Sequence, residues 1–536
     1  MLTWRAALVV LAAAVLFFCY WRQSQSVPPS SDGSSNVLQA WDMLHGNLLL
    51  RHWRVSDVPF YTTELPQYML IEALAGLGPW VVHLGAAMTY TLLVLLAAVL
   101  AKGRARGGAG AARALLTAGL MLAPQLSATS IVLLSPDHFG TAVPLLVIWL
   151  LIDRAPDPSR GDPCSAPGRS LWYVPVLVCL LFTWTMMADS IVLLTGIVPL
   201  MFVAAGRSFT GLVRRGDQRD PRWYELSLAG AAGVAGIAGS LAPRVIVALG
   251  GFRQSPVEAD LDLGQLRHGA WVTVQAFLEV FGANVFNTSY GGARPALETV
   301  LVSLHVAGVA VAACALVAGL ARLFRFGDLI VPTFAVAMVL NLGAYMISAH
   351  ARDLQGAREM AEVLPLGAVL AGRVCGDRLA AWIAAARGWF VPLLAVLMAV
   401  YLAALGYGAA QPSVPAENQT LVGWLLAHGF TDGLATYWQA NSTTVDSRRQ
   451  ILLSAVVPDA HDHLAPYQWE TNDANYDPAR YDANFVVADG PDAMPGMALS
   501  AERTFGRPRW IYRTDGYTIM VWDKNLLAEL DGPART

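Results

Sequence analysis

The chain has 536 residues, 55% of them apolar and only 14% charged, with a mean hydropathy of +0.46, whereas soluble domains carry about 25% charged residues. Water alone is therefore not its solvent. A net charge of −3, with no Lys/Arg block beside an aromatic stripe, argues against a nucleic-acid partner, and the five cysteines form no CxxC pair that would suggest a metal site.

The first apolar run, Ala7 to Cys19 behind Arg5, starts like a signal peptide. Tyr20, Trp21, Arg22 and Gln23 follow it where a cleavage site would need small residues, so an uncleaved span is expected. Crossing the hydrocarbon takes about 20 residues, fewer with local thinning. About eleven spans are expected, near 4–20, 79–101, 114–134, 139–153, 171–188, 190–206, 224–246, 298–321, 328–348, 361–376 and 388–410. Lys and Arg collect in alternate connections: Lys102 to Arg113, Arg154 to Arg169, Arg207 to Arg222, Arg322 with Arg325, and Arg373 to Arg387. By the positive-inside rule these connections and the N-terminus face the cytoplasm. The segments 21–78, 135–138, the turn at Asp189, 247–297, 349–360 and 411–536 then face outward.

The first outer segment, 21–78, is far longer than a connector of about 4–6 residues. It opens with SVPPSSDGSSN around Asp32 and continues through an expected amphipathic helix from Val37 to about Leu50. There Leu38, Trp41, Leu44 and Leu48 share one face, which suits a helix lying in the membrane interface. A carboxylate at the lipid boundary can take a proton from an acceptor hydroxyl, so Asp32 is the first catalytic candidate; the plainer role is a turn or helix cap at Asp32 or Ser34. Asp57 is a further catalytic candidate, with Glu64 beside it, although each precedes a proline and can simply shape a turn. The second outward link, SPDHFGT, puts Asp137 and His138 at a span mouth as catalytic candidates or solvated ends. Asp189, in the tightest outer turn, either pairs with an arginine or reaches interfacial water.

The fourth outer segment carries LGQLRHGAWVTVQAFLEVFG, an amphipathic stretch with Trp271 and Phe277 that reads equally as a surface helix near an acceptor or as packing against the tail. The fifth, SAHARDLQGAREM, carries His350, Arg352 and Arg358 just outside a span. The planar guanidinium fork matches phosphate oxygens, so these three are candidate phosphate-binding residues. The alternative pairs Arg352 with Asp353, and Arg358 with Glu359 or Glu362. NTS at Asn287 and NST at Asn441 match the N-glycosylation pattern, which is of low specificity. After Gly408 the apolar runs shorten; a helix over Glu417–His428 and strands over Ile451–Val457, Asn484–Ala488 and Tyr517–Trp522 point to a small α/β domain. The expected division is thus 1–410, a multi-spanning domain, and 411–536, an extracytoplasmic α/β domain.

This arrangement resembles the GT-C superfamily of membrane glycosyltransferases: an inside N-terminus, a long first outer loop with an acidic residue (Asp32 in SDGSSN), interface helices and an outer C-terminal domain. SSNVLQAWDMLHGNLLLRHW is also similar to first-loop sequences of actinobacterial glycosyltransferase-like membrane proteins. The resemblance implies a polyprenyl-phosphate sugar as donor and a glycan or protein as acceptor, with membrane lipid and lipid-linked sugar as partners, at the outer face of the cytoplasmic membrane. It further implies that Asp32 is the base or acceptor-orienting carboxylate and that Arg352 or Arg358 holds donor phosphate. Gly33 stands where the protein O-mannosyltransferases have the second residue of an Asp-Glu pair, which leaves acceptor type and a divalent metal open.

Two other classes compete. A transporter predicts midspan charges and a repeat between halves; Asn341 and Arg244 are the nearest such residues, and no two-half symmetry is evident. A noncatalytic envelope scaffold predicts sugar-stacking aromatics, for which Trp424, Tyr437, Trp438, Tyr467 and Trp469 are available.

Overall fold

The computed structural model describes residues 2–134, 138–155, 172–214, 222–256, 261–286, 296–323, 325, 327–490 and 494–530. The chain divides into two compact units: Met1–Ser26, Ala86–Ala242 and Glu258–Pro412 form the first, and Val27–Gly85, Pro243–Val257 and Ser413–Thr536 the second. Residues 27–85 therefore group with the C-terminal residues, whereas the sequence division at 410 keeps them with the spans.

The first unit is helical, and all eleven expected apolar runs form helix. Among the described residues, six helices are long and apolar enough to cross a membrane: Ala6–Ser24, Trp80–Lys102, Trp223–Ala248, Ala296–Leu320, Ile330–Ile347 and Val391–Ala409. A seventh candidate span is the pair Gly107–Met121 and Leu126–Val132, bent by 74° at its break. Shorter apolar helices cover Tyr173–Met186 and Leu193–Phe209. Their outward side chains include Val10, Phe18, Leu180, Trp184, Ile237, Val317 and Leu402. So much exposed apolar surface suits lipid rather than water.

The bent pair shows how such a break is tolerated. In hydrocarbon every freed backbone group needs an internal partner. Tyr90 Oη donates to the Met121 carbonyl and Tyr20 Oη to the Leu122 carbonyl, each at 2.8 Å, while Gln23 Nε2 donates to the Pro124 carbonyl at 3.2 Å. The arm Gly107–Met121 packs on the helix Val363–Ala385 at Gly372 and Gly376, a GxxxG pair whose missing side chains let the backbones meet. A Cβ on Gly376 would stand 2.8 Å from the Arg113 Cα, and one on Gly372 would stand 2.8 Å from the Arg113 carbonyl oxygen.

Arg373, between those glycines, closes one end of the bundle. Its guanidinium meets Asp153 at 2.8 Å, at the end of the helix Phe139–Arg154, and Asp328 at 2.9 Å, just before the helix Ile330–Ile347. It also donates to the Leu100 carbonyl at 3.0 Å.

Among the described residues, the second unit holds nine strands: β1 Trp53–Val55, β2 Arg253–Gln254, β3 Asp432–Ala435, β4 Leu452–Pro458, β5 Leu464–Pro466, β6 Thr471–Asn472, β7 Phe485–Asp489, β8 Trp510–Thr514 and β9 Tyr517–Val521. Six form a mixed sheet in the order β5-β4-β3-β7-β9-β8, with β3 parallel to β4 and β7. Side chains alternate between its faces. Leu434, Val486 and Met520 pack with Met497, Ala501 and Phe505 of the helix Met497–Phe505, while Ala435, Phe485, Val487 and Ile519 pack with Leu421, Leu425 and Ala440. The last three belong to the helices Gln419–Ala427 and Tyr437–Asp446. The small sheet β2-β1-β6 joins strands from the first outer segment, residues 243–257 and the tail, which is why these distant stretches share one unit. The tail is the expected α/β domain, with β4, β7 and β9 close to their expected places.

The amphipathic helix differs from expectation. It spans Ser31–Leu44, starting six residues before Val37, and ten of its residues are buried, Leu38 among them. Small polar residues at Ser31, Ser34, Ser35 and Asn36 fold into helix because their side chains pack or bond inside the unit. It packs inside the unit through these residues, while Trp41 is half-buried and Leu44 is exposed. Leu48, expected in the same helix, lies beyond its end and is exposed.

Candidate functional site

In the first unit, the end of the bundle opposite Arg373 holds the polar network that matters. The helix Phe139–Arg154 runs between the two ends, so they lie about 24 Å apart at 1.5 Å per residue. His138 sits immediately before its first turn and is buried. Its Nδ1 lies 2.6 Å from Asp189 Oδ2 and its Nε2 lies 2.8 Å from Glu359 Oε2. Asp189 is fully enclosed; Thr141 Oγ1 donates to its Oδ2 at 2.9 Å and the Ile191 N–H donates to its Oδ1 at 2.9 Å. Its partner is therefore a histidine, not the arginine or water expected from sequence. A hydrophobic turn carries this charge because a cation and two donors meet it there.

Glu359 is the accessible end of the network, with 28% of its side chain exposed. It follows Arg358 in the 3₁₀ segment Leu354–Met360, and the Arg358 guanidinium approaches it at 3.9 Å. Burial by itself would lower His138, but the carboxylates of Asp189 and Glu359 outweigh it and hold the imidazole well above its ordinary value. For Glu359, burial by itself would raise the carboxyl, yet His138, His350 and Arg358 together hold it below the usual range. Two buried carboxyl oxygens of Glu362 lie next along the chain without a hydrogen-bond partner. Asn341, a midspan polar residue in the transporter reading, ties its Nδ2 to the Glu359 carbonyl at 3.4 Å.

Two of the sequence candidates, His138 and Arg358, thus meet at Glu359, and the charge of His350 acts on the same carboxyl. Arg352 is exposed in the turn that follows His350, and its carbonyl lies 3.1 Å from His268 Nε2. Asp137 lies outside the described residues, as does Asn287. The sequence reading treated Glu359 only as a salt-bridge partner for Arg358, so its bond to His138 was missed.

Asp32 and Asp57 lie in the second unit. Ser30, not Asp32 or Ser34, caps the helix Ser31–Leu44, accepting from the Gly33 N–H at 3.2 Å. Asp32 is half-buried in the first turn, where its Oδ1 accepts from Tyr437 Oη at 2.6 Å. The same phenol meets Glu470 Oε2 in a very short contact. Burial first, then Glu470 and Asp32, push the Tyr437 phenol well above its ordinary value, so it remains a proton donor between two carboxyl groups. Glu470 has φ of +49°, and its carbonyl accepts from Ser35 Oγ and Asn441 Nδ2, each at 3.2 Å. A non-glycine residue fixed in the left-handed region marks a place where backbone strain is tolerated for the position it gives a side chain.

Asn441 is consequently buried and bonded inside this cluster, which removes NST as an accessible glycosylation acceptor. Asp57 is half-buried in a bend after β1, and Gln254 Nε2 donates to its carbonyl at 2.6 Å. Glu64 is buried in the first turn of the helix Glu64–Ala75. Of the aromatic residues, Tyr437 is packed in the sheet core with Trp424, Tyr467 and Trp469 against it, while Trp438 is 48% exposed. Among the described residues, no group of three or more His, Cys, Asp or Glu side chains is arranged to hold a metal ion.

No family model and no curated protein matches the sequence. In structure, the chain is similar to the Archaeoglobus fulgidus oligosaccharyltransferase in its crystal structure with Zn and sulfate, at 14% identity and a TM-score of 0.49, over 95% of this chain and 72% of that one. A likeness of that degree assigns no chemistry, so the functional reading rests on the residues described above.

Proposed function

We propose that this chain is a GT-C-type membrane glycosyltransferase that moves a sugar from a polyprenyl-phosphate donor to a cell-envelope acceptor, a glycan or protein, on the outer face of the cytoplasmic membrane. The observation that carries the reading is the loop around Arg358. There a guanidinium with 42% of its side chain exposed stands beside Glu359, over a buried His138 whose charge is fixed by two carboxylates. The bundle around this loop is built of apolar helices. Such a loop offers cationic groups to an anionic headgroup whose tail stays in lipid.

In this reading Arg352 and Arg358, with His350, hold the donor phosphate. Asp32 takes the proton from the acceptor hydroxyl as its oxygen bonds to the anomeric carbon. The bond from that carbon to the phosphate oxygen breaks, and the phosphate leaves with the electron pair. One base suffices for such an inverting displacement. Tyr437 Oη on Asp32 Oδ1 would fix the orientation of that carboxylate.

Purified protein in nanodiscs, supplied with polyprenyl-phosphate pentoses and hexoses, tests this. Arg358→Ala should raise the donor KM about tenfold, roughly 1.4 kcal/mol, and Asp32→Asn should lower kcat by about 10²–10⁴-fold. Full transfer by Asp32→Asn would move the base role elsewhere, to Asp57 first. Absence of both transfer and donor binding with all of these donors would overturn the reading itself.

A further inference from the structure

The six-stranded sheet of the second unit has two edges, and they are finished differently. An open edge invites another strand, so folded sheets shorten it, charge it, place proline in it or cover it. β5 follows that rule: it is three residues long, ends at Pro466, and its Leu464 N–H is taken by Thr504 Oγ1 at 2.8 Å. β8, Trp510–Thr514, does not. Its five residues pair with β9 in unbroken register and, among the described residues, with no strand on the other side. Trp510 and Ile511 are each about half exposed.

The backbone of β8 fixes which residues face outward. Asp515 and Gly516, with φ of +44° and +86°, make the two-residue turn into β9, and two left-handed values in succession belong to a type I′ turn. That turn closes on Thr514 and Tyr517 as a hydrogen-bonded pair, and bonded and non-bonded pairs alternate along an antiparallel ladder. Thr514, Tyr512 and Trp510 therefore bond inward to β9. The N–H and C=O groups of Ile511 and Arg513 point away from the sheet.

We propose that a second copy of this chain pairs with this edge, β8 against β8 in antiparallel, so that the two sheets join across a two-fold axis at Tyr512. Backbone bonds form only when outward-facing residues oppose each other, which allows three registers. Centred on Ile511, the pairing sets Arg509 against Arg513 of the second copy; centred on Arg513, it sets that arginine against itself. Like charges directly opposite are destabilising. Centred on Tyr512, it bonds Ile511 to Arg513 twice and sets Arg509 opposite Asp515 at both ends. Trp510 then faces Thr514 and lies diagonal to Tyr512, within aromatic reach, and the Arg513 stem covers Ile511. Arg509 is already held in place, its guanidinium over the Trp510 ring at 4.2 Å and in contact with Asp523 of its own chain. A foreign strand would find the same backbone groups but would not carry the matching charges; this self-complementarity selects a second copy. The inference does not depend on the transferase reading.

Mass measurement of the full protein in non-ionic detergent should show a monomer–dimer equilibrium. Ile511→Pro removes an outward N–H and leaves the bonds to β9 in place, and it should weaken dimerisation about tenfold. Arg509→Glu should do the same, and adding Asp515→Lys to it should restore the dimer. A second measurement, in native membranes, reads the register. In a cysteine-free background, a copy with Trp510→Cys and a copy with Thr514→Cys would oppose each other in a non-hydrogen-bonded pair, with Cα atoms about 4.5 Å apart and within disulfide reach. Oxidation should link the two co-expressed copies to each other and neither to itself; that mixed link supports the pairing even if detergent separates the copies. Absence of the mixed link overturns the proposal. So does a dimer that Ile511→Pro leaves intact, or a disulfide between two copies carrying the same substitution.

Discussion

His138 is the residue on which most of the first unit's polar chemistry depends. Its imidazole is raised well above its ordinary value, so the charge that joins Asp189 to Glu359 persists at neutral pH. A histidine raised on folding contributes stability fully below its unfolded value, about 6.5, and loses it as pH rises through the folded value. The melting temperature of the wild type should therefore fall as pH rises above about 6.5 more steeply than that of His138→Gln. At pH 6 the variant should be less stable by roughly 3–5 kcal/mol, the cost of leaving buried charges without their partner. Equal pH slopes in the two proteins would show that the imidazole is not charged. In the second unit, Tyr437→Phe removes the O–H shared by Asp32 and Glu470. A loss of about 1–3 kcal/mol is expected from the uncompensated carboxyl groups, together with a lower kcat/KM, because Asp32 loses the donor that orients it. An unchanged kcat/KM would separate Tyr437 from Asp32 in function. Little of this was legible. His138 stands 51 positions from Asp189 and 221 from Glu359, so no local spacing links them, and neighbouring charges such as Arg358 and Glu359 drew the sequence reading toward an ordinary surface pair.

At the scale of elements, apolar runs announced helices well, because a spanning segment must satisfy its backbone internally and helix does so with the least dependence on context. The helix Ser31–Leu44 was legible in part: period and apolar face were visible from Val37 onward, but its polar first turn was not, since Ser31 and Ser35 find their partners on residues more than 400 positions away. The helix Tyr437–Asp446 escaped notice for the same reason, its polar face being buried in the unit rather than exposed. Gly372 and Gly376 form a GxxxG close-packing motif that is legible in the sequence. Their role is testable. Gly372→Leu places a side chain against the Arg113 carbonyl and the Ala101 methyl, and it should abolish recovery of monodisperse protein, whereas Gly388→Leu, where a Cβ meets nothing within 4 Å, should not. Similar recovery of both would mean that the contact with the helix Gly107–Met121 is adjustable.

For the whole molecule, the charge asymmetry of the connections is the feature that sequence states most directly and that function needs first. The Arg373 network and the His138 network occupy opposite ends of the helix Phe139–Arg154. Orientation follows from the positive-inside rule as a proposal: the Arg373 end faces the cytoplasm and the His138 end faces outward. In intact cells of a cysteine-free background, Asp353→Cys should react with a membrane-impermeant maleimide, and Arg378→Cys should react only after permeabilisation. The opposite pattern would invert the protein and place the proposed reaction on the wrong face.

The two networks also bear on how the bundle moves. The helix Phe139–Arg154 is gripped by His138 at one end and by Asp153 at the other, through contacts of 2.6–2.8 Å. A displacement of one residue along its axis is about 1.5 Å, enough to pull either set of contacts out of hydrogen-bond range. Piston motion of this helix would thus break a buried ion network at each step. A carrier that shuttles cargo by sliding its helices is poorly served by a post pinned at both ends; a surface that must present fixed charges to substrates diffusing in the plane of the membrane is well served by it.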